Sequence, residues 1–364
     1  MPELTDLTDL RGRVQQAVDA HLAAQTAVLV EIGDDLRPLI DAVAALLTGG
    51  KRLRAGFLYW GYRAGGRGDS DALVRLAASM ELFQAAALLH DDVMDRSDIR
   101  RGMPSAHRAI ETLHSEQGWL GDGGRFGEGA AILAGDLCLT WCDEMFATCG
   151  LPAEQLRRGR ELFDRMRTQL MGGQFLDLLE SVRGWEGLDL EARITSARTV
   201  IRYKSAKYTI EHPLLIGALV GGVDDAALPA LSAYGLALGE AFQLRDDLLG
   251  VFGDPEATGK PAGDDLREGK RTVLLAYALE GAGPAERMQV DAGLGRDDLD
   301  EAEVERLRGI LLGTGAVARV EALIASRADE AHDALDRAAR LATLDPTATD
   351  ELHRLVELST ARHA

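Results

Sequence analysis

Leu73 to Arg101 reads LVRLAASMELFQAAALLHDDVMDRSDIRR. An apolar run of alanine, leucine and phenylalanine ends in Asp91, Asp92, Asp95 and Asp98, then in Arg100 and Arg101. Apolar residues recur at spacings of three and four, the period of an α-helix. They cover most of its circumference, which marks a helix buried on most sides. Residues four apart stack on a helix, so Asp91 lies against Asp95 with Asp92 beside them. Gln84, Leu88 and Asp91 continue nearly the same stripe. A solvated face tolerates such like-charge pairs, whereas buried carboxylates need a cation. Mg2+ suits them, because it takes oxygen ligands, keeps waters and bridges carboxylates to substrate phosphates.

The same helical period runs through most of the chain, as in 228-LPALSAYGLALGEAFQLRDDLL-249. No sustained alternation marks a strand. Glycine-rich breaks at 48-TGGK-51, 64-AGGRGDS-70, 149-CGLP-152, 221-GGVDD-225 and 253-GDPEATGKPAGDD-265 divide the chain into ten or more helices. The stretch 121-GDGGRFGEG-129 has no GK[ST] and is expected to be a surface loop, not a phosphate loop.

A second acidic cluster decides between a solvated face and a site. In 242-FQLRDDLLGVFGD-254, Asp246 and Asp247 follow another apolar helix, with Gln243 one turn before and Asp254 in a turn after. Two such helices set carboxylates face to face across a cavity, where several Mg2+ ions can surround one highly charged anion. Cations gather elsewhere, in 49-GGKRLR-54, at Arg100, Arg101, Lys204 and Lys207, and at Lys260 and Lys270 in 259-GKPAGDDLREGKR-271. Lys51 and Arg54 are one turn apart, just after a glycine pair that lets backbone approach an anion.

Composition narrows the class. The 364 residues are 46% hydrophobic, enough for a large core, and no linker or repeat separates units, so one domain over 1–364 is expected. A formal net charge of −19 argues against nucleic acid. The N-terminus lacks the apolar segment of a signal peptide. No uncharged apolar run reaches the roughly 18 residues of a membrane span. No stable membrane anchor and a cytoplasmic location are expected. Cys138, Cys142 and Cys149, with no histidine nearby, read as reduced core thiols.

The motifs GGKRLR, HDDVMDRSDIRRG, GGQFLD, YKSAKYT and FQLRDDLLGVFGDPEATGK, in this order, resemble the trans-isoprenyl diphosphate synthases. The match runs from about Gly49 to Arg271. The resemblance implies an all-α bundle of antiparallel helices around a deep central cavity, usually a homodimer. It implies Mg2+, three ions per site, and the condensation of isopentenyl diphosphate with an allylic diphosphate (dimethylallyl, geranyl or farnesyl). Carried over, Asp91, Asp92 and Asp95 bind Mg2+ on the allylic diphosphate, and Asp246 and Asp247 bind it from the opposite wall. Arg100, Lys204, Lys260 and, with Gln243 nearby, Lys270 surround that diphosphate. Lys51, Arg54, Gln84 and Arg101 hold isopentenyl diphosphate without metal. Gln174, Asp177, Gln243 and Asp265 line the site or order metal-bound waters. No catalytic histidine is required, so His90, His107 and His212 read as structural.

The chain departs from the pattern twice. Gly250 stands where many relatives have the third acid of the second cluster, and restoring aspartate there is expected to change the rate little. Ser205 replaces a threonine and keeps a hydroxyl that can face the carbocation. Product length follows from the helix before Asp91. Ala87 and Ala86 lie one turn back, and Phe83 and Leu82 one turn further, about 5.4 Å per turn. Bulky residues at the first level stop relatives at fifteen carbons. Two alanines let the tail pass to Phe83, which implies geranylgeranyl diphosphate, with farnesyl or longer products as alternatives. A terpene cyclase has no use for GGKRLR and Arg101, and a non-catalytic partner subunit is expected to lose its acids.

Overall fold

The computed structural model describes residues 7–253, 263–296 and 298–360. Fifteen longer helices carry the described chain. The first seven are α1 (Leu7–Val30), α2 (Arg37–Leu47), α3 (Leu53–Ala64), α4 (Asp71–Met94), α5 (Ala106–Glu116), α6 (Gly123–Ala147) and α7 (Ala153–Val182). Then come α8 (Leu190–Val200), α9 (His212–Gly221) and α10 (Leu228–Phe252). The last five are α11 (Val273–Gly281), α12 (Pro284–Gly293), α13 (Glu301–Gly313), α14 (Ala316–Leu341) and α15 (Pro346–Thr360). Extended pairing among the described residues is one short hairpin, Ile99–Arg100 against Met103–Pro104. The all-α expectation holds.

The stretch that opened the sequence is α4. Ser70 caps it, its hydroxyl accepting from the Leu73 amide, and Gly66 turns the chain in before it. It has the length and hydropathy of a membrane span, yet 72% of that window is buried inside the protein. Its apolar face goes into the core, where it packs along α6.

Close helix contacts depend on missing side chains. A Cβ on Gly61 of α3 would lie 2.2 Å from the Leu214 carbonyl oxygen, and one on Gly217 of α9 would lie 2.0 Å from the Leu58 carbonyl oxygen. The two helices therefore touch backbone to backbone. The same reason overturns one expectation. Residues 123–129 are the first turns of α6, not a surface loop. Asp122 caps them by accepting from the Arg125 amide, and Gly127 lets α6 approach α5, since a Cβ there would meet the His107 carbonyl oxygen at 2.2 Å. Gly127 thus serves packing rather than flexibility.

Two apolar cores form. One gathers α1 to α7, α9 and α15; the other gathers α8 and α11 to α13. The helices α10 and α14 run through both, with Leu231, Tyr234 and Leu238 in the first and Leu244, Leu248 and Val251 in the second. The candidate site opens beside α10, where the two cores meet.

One element was not legible in the sequence. Between α8 and α9 the chain continues as a π-helix, Ile201–Glu211, which contains the YKSAKYT stretch. Such widened turns are rare and gather at functional sites. Gly173 on α7 backs it, and a Cβ at that position would come within 2.5 Å of the Lys204 amide nitrogen.

Candidate active site

A cavity of about 930 Å3 lies between α3, α4, the π-helix and α10. Lys51, Arg54, Gln84, Asp91, Arg100, Arg101, Asp177, Lys204, Ser205, Gln243, Asp246, Asp247, Asp265 and Lys270 all line it. Residues up to 219 positions apart in sequence thus share one space, as Lys51 and Lys270 do. Lys260 and Asp254 lie outside the described residues.

On the α4 wall, the Asp91 carboxylate accepts from Gln174 Nε2 at 2.8 Å and from Lys204 Nζ at 3.1 Å. Lys204 also bonds Asp177, one turn after Gln174 on α7. Burial alone would push Asp91 up, but Lys204, Lys270 and Arg100 hold it well below the usual carboxylate range. Burial would lower Lys204, but Asp91 and Asp177 keep it protonated and raise it. Asp91 is therefore a fixed anion and Lys204 a fixed cation at the same point.

Asp92 and Asp95 sit differently. Asp92 is buried and does not line the cavity; its Oδ1 accepts from Arg100 Nε at 2.8 Å and from Arg100 Nη2. That bond aims Arg100 at the cavity and at Asp91, 3.8 Å away. Asp95 lies one turn beyond Asp91. Burial, with Asp91 adding, pushes its carboxyl up to about 7, and its Oδ2 is buried without a hydrogen-bond partner among the described residues.

On the α10 wall, Gln243 donates to Asp247 at 2.8 Å, while burial and Asp265 push Asp247 up to about 8. Asp265 comes from a single helical turn, Asp264–Arg267, and lies over Gly250. A Cβ on Gly250 would meet its Oδ2 at 2.1 Å. The place of the absent acid is thus taken by a carboxylate from another element, and aspartate at Gly250 would require Asp265 to move. Lys270 closes this wall, 3.4 Å from Asp265 and paired with Glu268.

The donor set fits a hard divalent ion. It is all oxygen, it includes an orphaned buried carboxylate oxygen, and two of its carboxyls are raised, by burial first and by neighbouring carboxylates second. No three described carboxylates converge into a closed cage. Mg2+ does not need one, since it takes one or two carboxylates and completes its shell with water and phosphate oxygens.

The other end of the cavity carries cations without acids of that kind. The Arg54 guanidinium lies 4.3 Å over the Tyr208 ring and donates to Tyr208 Oη at 2.6 Å and Thr209 Oγ1 at 2.8 Å. Tyr208 passes the bond on to Gln84 at 2.8 Å. Arg54 Nε is buried with no hydrogen-bond partner among the described residues. Arg101 donates to the Leu46 carbonyl at 2.8 Å; burial and then Arg52, Arg100 and Arg54 lower its pKa, as expected where guanidiniums crowd around an anion's place. Sequence reasoning missed Arg52, Glu81, Tyr208 and Thr209. Glu81 carried a signal, being the single charge between Arg75 and His90 in an apolar helix.

Ala86, Ala87, Phe83 and Leu82 do not line this cavity. The stripe of α4 that does is Glu81, Gln84, Leu88 and Asp91. Phe83, Ala86 and Leu82 are fully buried, Ala87 is half-buried, and Phe83 packs edge-on to Tyr208 with centroids 6.2 Å apart. The helix α6, which packs along α4, buries Ala134, Gly135, Cys138 and Cys142. His90 Nε2 donates to the Ile132 carbonyl at 3.1 Å, His107 pairs with Ser105, and neither they nor His212 line the cavity. The three cysteines are buried, which pushes their thiols up.

Comparison with known proteins agrees with this geometry. Residues 37–311 match the polyprenyl synthetase family. A geranylfarnesyl diphosphate synthase of Aeropyrum pernix is 32% identical over 84% of this chain and 83% of its own length. A geranylgeranyl diphosphate synthase of Sulfolobus acidocaldarius is 32% identical over 75% of this chain and 71% of its own. The crystal structure of a geranylgeranyl pyrophosphate synthase from Corynebacterium glutamicum, complexed with isoprenyl diphosphate and magnesium, superposes with a TM-score of 0.92 at 37% identity, covering 98% of this chain and 100% of that one.

Proposed function

The chain belongs to the polyprenyl synthetase family of trans-prenyltransferases, and on that premise we propose that it makes geranylgeranyl diphosphate by Mg2+-dependent 1'-4 condensation. The observation that carries this reading is the division of one cavity into two anion sites. At one end the carboxylates of α4 and α10 face each other; at the other, Lys51, Arg54, Gln84 and Arg101 gather without such acids. A condensing enzyme needs two diphosphates at once, and a cyclase needs one.

Asp91, Asp95, Asp246 and Asp247 would hold Mg2+, which neutralises the leaving diphosphate. Lys204, Arg100 and Lys270 add fixed positive charge around the same oxygens, the electrostatic term that lowers an ionisation barrier most. Asp92 acts through Arg100, which it holds in place. The allylic C1–O bond breaks and its electron pair leaves on the diphosphate. The alkene pair of isopentenyl diphosphate forms the new bond to C1. A C2 proton then departs to the released diphosphate, and its C–H pair becomes the product double bond. Gln174 and Asp177 fix Asp91 and Lys204, and the Ser205 hydroxyl and Tyr208 offer the cation dipole and ring.

The growing tail runs along α4 against α6. Ala86 and Ala87 lie outside the present cavity lining, and their small side chains leave least to displace as the tail lengthens along α4. Phe83, wedged on Tyr208, is the floor that limits growth to twenty carbons. We also read the chain as one domain, because α10 and α14 serve both cores, and as a homodimer through the outer face of α6. Purified protein incubated with Mg2+, isopentenyl diphosphate and farnesyl diphosphate should yield a C20 alcohol on chromatography after dephosphorylation. A cyclic hydrocarbon, or no product, would overturn the proposal.

A further inference from the structure

The isopentenyl diphosphate end of the cavity is shaped by the loop from Leu46 to Leu53, and that loop is tethered from outside the family-matched residues 37–311. The tether is α1. Arg11, Gln15 and Asp19 lie four apart, so they form one stripe beside the buried Val14 and Val18. Gln15 Nε2 donates to Asp19 Oδ1 at 2.8 Å. This leaves its carbonyl oxygen to accept from the Gly49 amide at 3.3 Å and from Arg52 Nη2. Arg11 Nε donates to the Lys51 carbonyl at 3.2 Å.

The loop's conformation is one that packing would not choose. Gly49 and Gly50 have φ of 73° and 92°, and Arg52, a residue with a full side chain, has φ of 54° and ψ of 37°. Left-handed backbone is disfavoured for such a residue and persists only where its surroundings impose it. The surroundings are polar. The buried Arg52 guanidinium reaches Glu81 Oε2 at 2.8 Å, the Leu47 carbonyl and Gln15 at once. Under the loop lies a hollow of about 390 Å3 lined by Arg11, Gln15, Asp19 and Arg52. Hydrogen bonds, not packed side chains, therefore set where Lys51 and Arg54 begin.

We propose that Gln15 is a positioning residue for isopentenyl diphosphate: its amide, oriented by Asp19, fixes Gly49 and Arg52 and so aims Lys51 and Arg54 at that diphosphate. This rests on the assignment of that end of the cavity to isopentenyl diphosphate. Loss of one bond to a charged group is worth roughly a factor of ten. Gln15→Leu should thus raise the KM for isopentenyl diphosphate about tenfold, with kcat at saturation and the KM for farnesyl diphosphate near the parent's. Gln15→Glu with Asp19→Asn, which keeps the accepting oxygens and reverses the orienting bond, should restore most of the affinity. Calorimetric titration of isopentenyl diphosphate alone should show the same order, and a melting temperature near the parent's shows that the fold is intact. Arg54→Ala is the control. If Arg54→Ala raises the same KM and Gln15→Leu does not, the positioning role is wrong. It is equally wrong if Gln15→Leu lowers kcat and raises both KM values together, as loss of structure would. If Arg54→Ala leaves that KM unmoved, the assignment of the site itself fails, and the role of Gln15 with it.

Discussion

Gly250 leaves room on the second acidic helix for a carboxylate from elsewhere. Asp265 reaches over α10 and takes the space a side chain there would fill. Aspartate at Gly250 would force two carboxylates into one place, and overpacking of that kind costs about 1–3 kcal/mol before the charges are counted. Gly250→Asp should therefore lower turnover by roughly tenfold or more, while Gly250→Asp with Asp265→Ala should recover much of the loss seen in Asp265→Ala alone. Equal rates for parent and Gly250→Asp in steady-state assays would show that Asp265 yields freely. His212 shows the opposite kind of residue, one whose charge the fold refuses. Burial lowers its pKa to about 4 from 6.5, although Glu211 opposes the shift, and its Nδ1 is buried without a hydrogen-bond partner among the described residues. Between those pH values the unfolded chain binds a proton that the native state does not, so stability falls as pH falls from 6.5 to 4. The loss should reach about 3 kcal/mol at the lower end. Urea unfolding at a series of pH values should show this slope for the parent, and His212→Leu should flatten it by that amount whatever it does to absolute stability.

At the scale of the element, α4 was legible almost whole. Its apolar period and the acids at its end are local properties, and the structure keeps both. That acids of α4 and α10 share one cavity was legible too, because each greasy helix ends in carboxylates. What the sequence hid depends on partners far along the chain. The π-helix exists where Gly173 of α7 meets Tyr203 and Lys204, which no period within residues 201–211 announces. Asp265 returns to Gly250 from a turn beyond the end of α10. Gln15 looks like any polar residue on an amphipathic helix until the glycine loop folds beneath it. The reverse face of α4 carries the prediction that belongs to this scale. It carries Ala86 and Ala87 on a helix that packs along α6, and Phe83 packs edge-on to Tyr208. Phe83→Ala opens one further turn and should shift the product towards twenty-five carbons or more. Ala87→Phe fills the first turn and should shift it to fifteen. Chromatography of dephosphorylated products from both variants checks the pair, and an unchanged distribution in both would place the floor on another element.

For the whole molecule, the surface raises a question the cores do not. Phe126, Ile132 and Leu133 of α6 are 45%, 45% and 58% exposed, and Trp119 and Leu120 just before the helix are exposed as well. Single exposed apolar residues are ordinary, but several on and beside one helix form a patch of the sort that marks an interface. The inner face of the same helix is the wall against which the proposed tail runs. A second copy packed on the outer face would stiffen that wall, and would thereby couple assembly to product length through one helix. A two-fold contact is self-complementary, so one substitution alters it twice. Leu133→Glu places two buried acids in the contact, a cost large enough to dissociate a dimer of ordinary interface size. Light scattering during gel filtration should give twice the chain mass of 39.1 kDa for the parent and a single chain mass for the variant. The monomeric variant should retain both diphosphate sites, since no residue of either lies on that face, yet release a broader range of chain lengths. A parent that runs as a monomer would remove the interface, and a monomeric variant with the parent's product profile would show that α6 holds its shape alone.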